Sequence, residues 1–331
     1  MIRGARVDRR SFVGGIAGAI ALRPRLADAQ QAAGVHRVGF MLGASAESVK
    51  SLYDALNDGL RDRGYVEGRN LILEARYGGG RMERLPGLAA ELVRLRVEVI
   101  VTGTNIHVAA ARSATKTLPI VMVFTADPVA AGFVESLARP GGNVTGLSAD
   151  ASPELWRKYL GLLKEIVPKL SRVGALGQVA AKFGFAELEI ASRQLGIAIE
   201  IADLKAPEDL DAAFASLVSR RVEALVVIVG PITYQLRKPI AELALKNHLP
   251  AICTLNEYAR EGLLLTYGPN LTDLYLRAAS YVDKILRGEK PADLPVEQPS
   301  RFELTVNLRT ARALGVNMPY SLQLLAAEVM D

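Results

Sequence analysis

The chain has 331 residues, half of them hydrophobic, with 40 basic and 35 acidic side chains and a single cysteine. That length and apolar content suffice for two cores of ordinary domain size, while a lone Cys253 excludes an intramolecular disulfide and any cysteine-based metal site. The formal charge of +5 sits mostly at the start: residues 1–29 hold six Arg and two acids, so the remainder carries 34 basic against 33 acidic side chains and gives little support to a nucleic-acid partner.

In chain order, the first element is a targeting segment. Arg9-Arg10-Ser11-Phe12 resembles a twin-arginine export signal, with Asp8 where Ser or Thr is usual. A weakly apolar run from Val13 to Leu22 and the Ala27-Asp28-Ala29 cleavage pattern complete it. Residues 1–29 are therefore expected to be removed on export, and the run is too short to span a bilayer. No lipid-accepting cysteine follows, so a freely soluble periplasmic protein is expected.

Strands and helices then alternate. "RVGFML" at 37–42 predicts a strand, and Val49, Leu52, Tyr53, Leu56 and Leu60 place an apolar stripe on the helix after it. "NLILEARY", a helix with Leu85, Leu88, Leu92 and Leu95, the strand "VEVIVTGT", a further helix and the strand "LPIVMVF" complete one half. The second half repeats this order with "RVGALG", "IAIEIADL", "VEALVVIVG" and "LPAIC". The matched words RVG/RVG, VEVIV/VEALVV and LPI/LPA lie 135, 125 and 131 residues apart. Continuous apolar strands between amphipathic helices predict parallel sheets covered on both faces, here as two doubly wound α/β lobes.

Such sheets bind ligands beyond the carboxyl ends of their strands. Those ends read Gly43-Ala44-Ser45, Thr102-Gly103-Thr104-Asn105 and Thr125-Ala126-Asp127 in the first half. In the second they read Gly177-Gln178, Gly230-Pro231-Ile232-Thr233 and Cys253-Thr254-Leu255-Asn256. Hydroxyls and free N–H groups at helix starts suit a carboxylate, and Asp127 suits an ammonium or hydroxyl donor. Each of these residues could equally be a helix cap; the recurrence over both halves favours a pocket. His36, His107 and His248 form no metal spacing, and His107 is expected to pack on its helix surface. No G-x-S-x-G elbow or Walker phosphate loop occurs, and a two-lobed racemase would want a second cysteine. Neither an enzyme nor any cofactor or metal is expected. Gly141-Gly142 reads as a turn before the strand "NVTGLS".

The blocks "LRDRGYVEGRNLILEARY", "LPIVMVFTADPVAAGFVESLARPGGNVTGLS" and "YVDKILRGEKPADLPVEQPSRFELTVNLRTARALGVNMP" resemble the substrate-binding proteins of ABC transporters in the tryptophan/tyrosine-type uptake family. The resemblance runs in order through nearly the whole chain after the signal. It implies a type I periplasmic binding fold whose lobes are joined by three crossovers, near 146–151, 267–270 and 291–295. The first lobe would hold 30–146 and 268–292, the second 147–267 and 293–331.

By position, the resemblance places Ser45, Thr104 and Asp127 on the first wall of a ligand cleft and Thr145 at the crossover. It places Gly230, Thr254 and Tyr267 on the second wall, with Asp127 meeting a ligand amine. The sequence departs from the family at "GQVAAKFGF", a pocket wall, and at "RYGGGRMERL", expected at the surface. Trp156 and Tyr53 read as packing residues, whereas Phe183 and Phe185 could offer a flat wall to an aromatic ring or pack beneath the second lobe. The function implied is a monomeric periplasmic receptor. It would close on an amino-acid-like or aromatic carboxylate and deliver it to an inner-membrane ABC permease. A sensor presenting its closed form to a membrane receptor uses the same shape, and a periplasmic enzyme on this scaffold is the third reading.

Overall fold

The computed structural model describes residues 1, 34–149, 152–179 and 184–331; the expected export signal, Phe183 and part of the first crossover lie outside the described residues. Within Val35–Asp331, a compact unit, the first sheet is built from β1 (His36–Leu42), β2 (Leu71–Tyr77), β3 (Val99–Thr102), β4 (Ile120–Ala126) and β5 (Val144–Ala149). All pairs are parallel, in the order β2-β1-β3-β4-β5. Helices α1 (Lys50–Arg61), α2 (Leu85–Arg94) and α3 (Asn105–Ala114) make the connections. The expected stripe on α1 is real: Leu52, Leu56 and Leu60 are buried.

The chain then enters α4 (Pro153–Ile166), with Ser152 as cap and Pro at the first helical position. The second sheet contains β6 (Arg172–Gly177), β7 (Ala198–Asp203), β8 (Ala224–Val227), β9 (Ala251–Cys253) and β10 (Leu265–Gly268). Their order, β7-β6-β8-β9-β10, reproduces that of the first sheet strand for strand, as the repeated sequence words require. Between them lie α5 (Phe185–Leu195), α6 (Leu210–Ser219), α7 (Pro231–Gln235), α8 (Arg237–Lys246) and α9 (Asn256–Arg260). After β10 the chain returns to the first lobe as α10 (Leu271–Leu286), then closes the second sheet with β11 (Glu303–Asn307), α11 (Leu308–Leu314), α12 (Tyr320–Leu325) and β12 (Glu328–Met330). Among the described residues, only β10 and β11 pair antiparallel. No helix among the described residues is long and apolar enough to cross a membrane.

Helix α10 packs along α1 and over β3, β4 and β5. The approach depends on Gly59, where a Cβ would stand 2.5 Å from the Leu276 carbonyl oxygen. Tyr65 also donates to Asp283 Oδ1 at 2.9 Å.

One crossover position differs from that expected. β5 continues in the first sheet to Ala149, within the span expected for the first crossing. Residues 294–297 still lie along the first sheet: Glu297 N donates to Gly146 O, and Ser148 N donates to Glu297 O. The third crossing therefore follows Glu297 rather than falling at 291–295. A sheet edge left bare would strand its peptide groups, and this short segment covers the edge of β5.

Candidate functional site

Strands β1, β3 and β4 end against the carboxyl ends of β8 and β9, and two adjoining cavities lie between the lobes. The inner one is walled by side chains such as Leu42, Val49, Leu52, Tyr234, Leu271 and Tyr275. The outer one adds Asn105, Ile106, Trp156, Ile228 and Thr254. Thr104, Phe124, Val229, Gly230 and Pro231 line both. The position matches the strand-order reversal of each sheet, where loops diverge and leave a crevice.

Phe124 is central. Its backbone is left-handed, with φ 61°, at an irregularity of the β4–β5 ladder between Val123 and Thr125. A bulky residue in that region carries strain on the order of 1–3 kcal/mol. The surroundings hold it: Thr125 donates from its hydroxyl to Gly103 O at 3.0 Å, and Ala126 is clamped by Asn105. That clamp uses both ends of the Asn105 amide, Oδ1 accepting from Ala126 N at 2.9 Å and Nδ2 donating to Ala126 O at 2.7 Å.

His107 corrects one expectation. It does not pack on the helix surface but is buried at the end of β1, where Gly43 N donates to its Nε2 at 2.7 Å. Its Nδ1 lies 3.1 Å from Thr104 Oγ1. Burial pushes its pKa down from 6.5 to about 4, so the ring is neutral.

The structure gathers three of the seven sequence-predicted site residues, Thr104, Gly230 and Thr254, at the two cavities. Ser45 instead closes its own turn, its Oγ accepting from Ser48 N at 3.3 Å. Asp127 is exposed, with φ 32°, and its Oδ1 accepts from Ala130 N at 2.9 Å. It borders a separate concavity with Ser148, Ser152 and Glu187. Thr145 is buried under the sheet edge, where its hydroxyl donates to Leu294 O at 2.6 Å. Tyr267 packs between Tyr159 and Phe302, and its carbonyl accepts from the Tyr159 hydroxyl. These four make local contacts away from the two cavities.

Sequence reasoning missed Phe124, because an apolar residue in an apolar strand gives no sign of a bulge. Trp156 packs in the second lobe's core as expected, only 5% exposed, and it also lines the outer cavity, with no acceptor for its Nε1–H among the described residues. Tyr53 does pack, edge-on to Phe40, and Phe185 is buried in the second lobe's core. The segment expected at the free surface, "RYGGGRMERL", instead reaches the other lobe. A Cβ on Gly80 would stand 2.7 Å from Pro207 Cγ, and Arg81 pairs with Glu208 at 3.2 Å.

Comparison with known proteins agrees with this architecture. The family described as ABC transporter substrate binding protein matches residues 37–330. A tyrosine-binding protein of Clostridioides difficile (strain R20291) is 27% identical over 260 residues, covering 78% of this chain and 74% of the relative. A conserved domain protein from Vibrio cholerae superposes with a TM-score of 0.82 at 24% identity, covering 89% of this chain and 99% of the other. An ABC domain from Streptococcus pneumonia in complex with L-Trp superposes with a TM-score of 0.81 at 23% identity, with the same coverage. Two parallel-sheet lobes of the type I periplasmic binding fold, meeting at a cleft of strand ends, are thus shared with these proteins, and the chain belongs to the ABC transporter substrate binding protein family.

Proposed function

We propose that this protein is the exported solute receptor of an ABC importer, binding a small amino-acid-like or aromatic carboxylate solute between its lobes for delivery to a membrane permease. The observation that carries the reading is the pair of cavities at the facing strand ends, with Thr104, Phe124, Gly230 and Pro231 common to both. Residues from both lobes would touch one solute, so the solute binds the closed arrangement better and selects it. The three crossings, after Ala149, after Gly268 and after Glu297, would serve as the hinge. The names of the tyrosine-binding relative and the L-Trp complex support an aromatic solute. Binding needs no bond change, and the lobes act as a carrier.

Native mass spectrometry of residues 30–331, before and after partial unfolding, tests this. A stoichiometric extra mass lost on unfolding is expected. A bare protein whose melting point no amino acid or aromatic acid raises would overturn it, because a ligand that binds only the folded state must stabilise it by mass action.

A further inference from the structure

Resting on the solute-binding reading, we infer that the strap at 78–84, which follows β2, is a latch between the lobes. It docks on the turn after β7 when they close, and it sets how long a solute is held rather than how fast it enters. Glycine placement and strand order carry the inference.

The strap is fixed to the first lobe by its own backbone. Gly78 N donates to Leu42 O at 2.8 Å, Gly80 N to Gly43 O at 2.7 Å and Gly79 N to Ala44 O at 3.2 Å. A Cβ on Gly78 would stand 2.6 Å from Gly43 O, while Gly79 and Gly80 have φ of 68° and 82°, a backbone that other residues disfavour. Arg84 reaches back to donate from Nη1 to Gly78 O at 3.2 Å. The loop clamped in this way also carries Gly43 against Pro231 of the other lobe, so the strap and one wall of the cleft move as one body.

The second lobe offers an equally fixed counterpart. Asp209 Oδ2 accepts from Lys205 N and Ala206 N at 2.9 Å each, which holds the turn Pro207–Asp209. Against it Gly80 presents a bare Cα, where a Cβ would stand 2.7 Å from Pro207 Cγ and 3.2 Å from Gln235 Oε1. Arg81 pairs with Glu208 beside this contact, at 3.2 Å. Gln235 ends α7, the same short helix whose Pro231 and Tyr234 line the inner cavity. A solute touching α7 therefore steadies the surface on which the strap docks, and two preformed turns lose little freedom on meeting.

Position gives the contact its leverage. The three crossings leave from β5, from β10 and from the segment beside β5. β2 is four strands from β5 in its sheet, and β7 is four strands from β10 in the other. At about 4.8 Å per strand, each of these outer strands lies roughly 19 Å from a strand that bears a crossing. Rotation about the crossings displaces them most, so the latch forms last on closing and breaks first on opening. Contacts absent from the first encounter act on release, which is where most affinity differences among variants of one interface appear.

The test is stopped-flow binding of L-tyrosine to residues 30–331, followed through the fluorescence of Trp156, the only tryptophan. Gly80→Ala should release L-tyrosine at least about tenfold faster, with association within about twofold of the parent. Gly79→Ala is the control: it bears the same left-handed strain, but a Cβ there would meet only Arg84 Nη1 of its own lobe, at 3.6 Å. It should lower the melting point of the solute-free protein as Gly80→Ala does, and leave release unchanged. Adding Pro207→Ala to Gly80→Ala removes the opposing Cγ and should restore slow release. Equal release from the parent and Gly80→Ala, or equally fast release from Gly79→Ala and Gly80→Ala, would overturn the latch and leave the carrier reading intact. If the parent does not bind L-tyrosine, small-angle scattering of the solute-free proteins decides. Gly80→Ala should then be more expanded than the parent and Gly79→Ala should not; equal dimensions for all three overturn the latch, whereas the carrier reading falls only on a bare mass and a flat thermal screen.

Discussion

Gly43 and Pro231 come from opposite lobes, and a Cβ on Gly43 would lie 2.8 Å from the Cβ of Pro231 and 2.9 Å from His107 Nε2. Real Cβ atoms do not approach that closely, so the lobes can meet here only because position 43 has no side chain. Gly43→Ala is therefore expected to lower solute affinity tenfold or more by holding the lobes apart. Small-angle scattering checks it: added solute should compact the parent protein and leave the variant unchanged.

Arg81 and Glu208 form an exposed ion pair across the mouth of the cleft, 3.2 Å apart. Pairs of this kind contribute about 0.2–1 kcal/mol. Arg81→Glu should weaken solute binding no more than about fivefold, Glu208→Arg similarly, and the double reversal should restore it. Titrations in low and high salt provide the control, because screening should erase the difference. An additive double variant would show that the two side chains do not interact in closure.

His107 gives the stability a sign with pH. Its folded pKa of about 4 lies below its ordinary 6.5 because burial disfavours the charged ring. Between those values the unfolded chain takes up a proton that the folded chain refuses, so stability falls as pH drops from 6.5 to 4 and is unaffected by this group above 7. The loss is on the order of 3 kcal/mol. Denaturant melts at pH 7 and pH 4.5 should show His107→Gln losing less stability than the parent over that interval.

Cys253 lies at the end of β9, fully buried, and its thiol is pushed up to about 12 by desolvation. The thiolate is the reactive form, so the native protein should be inert to a thiol-specific chromogenic reagent at pH 8. One equivalent should react on unfolding. Rapid labelling of the native protein would contradict the buried placement.

Much of the fold was legible because hydrophobic periodicity reports burial directly. Leu52, Leu56 and Leu60 in α1 and the continuous run in β4 could be assigned by spacing alone, and the repeated words carried the strand order from one lobe to the other. The crossovers were less legible. Residues 294–297 look like a link, yet they cover the edge of β5 through hydrogen bonds that no local pattern encodes.

Placement at the cavities was legible only in part. Thr104, Gly230 and Thr254 border them, as strand ends in this architecture do. Thr145 and Tyr267 do not, because a hydroxyl or ring near that crevice can turn to a neighbouring group instead, Leu294 O in one case and the Tyr159–Phe302 stack in the other. Trp156 packs in the core as its spacing indicated, but an apolar helix face reads the same whether or not it also borders a cavity.

The sequence by itself determined two doubly wound lobes and the family, since both rest on periodicity, repetition and ordered motifs along the chain. Tertiary structure alone decided which groups face the cleft and with what polarity. The left-handed backbone at Phe124, held through Thr125 and Gly103, the contact of Gly43 with Pro231, and the hydrogen bond from Gly43 to the buried His107 all depend on atoms far apart in sequence. Hydrogen bonds and close packing act over a few ångströms in space, and only the folded chain brings their partners within that range.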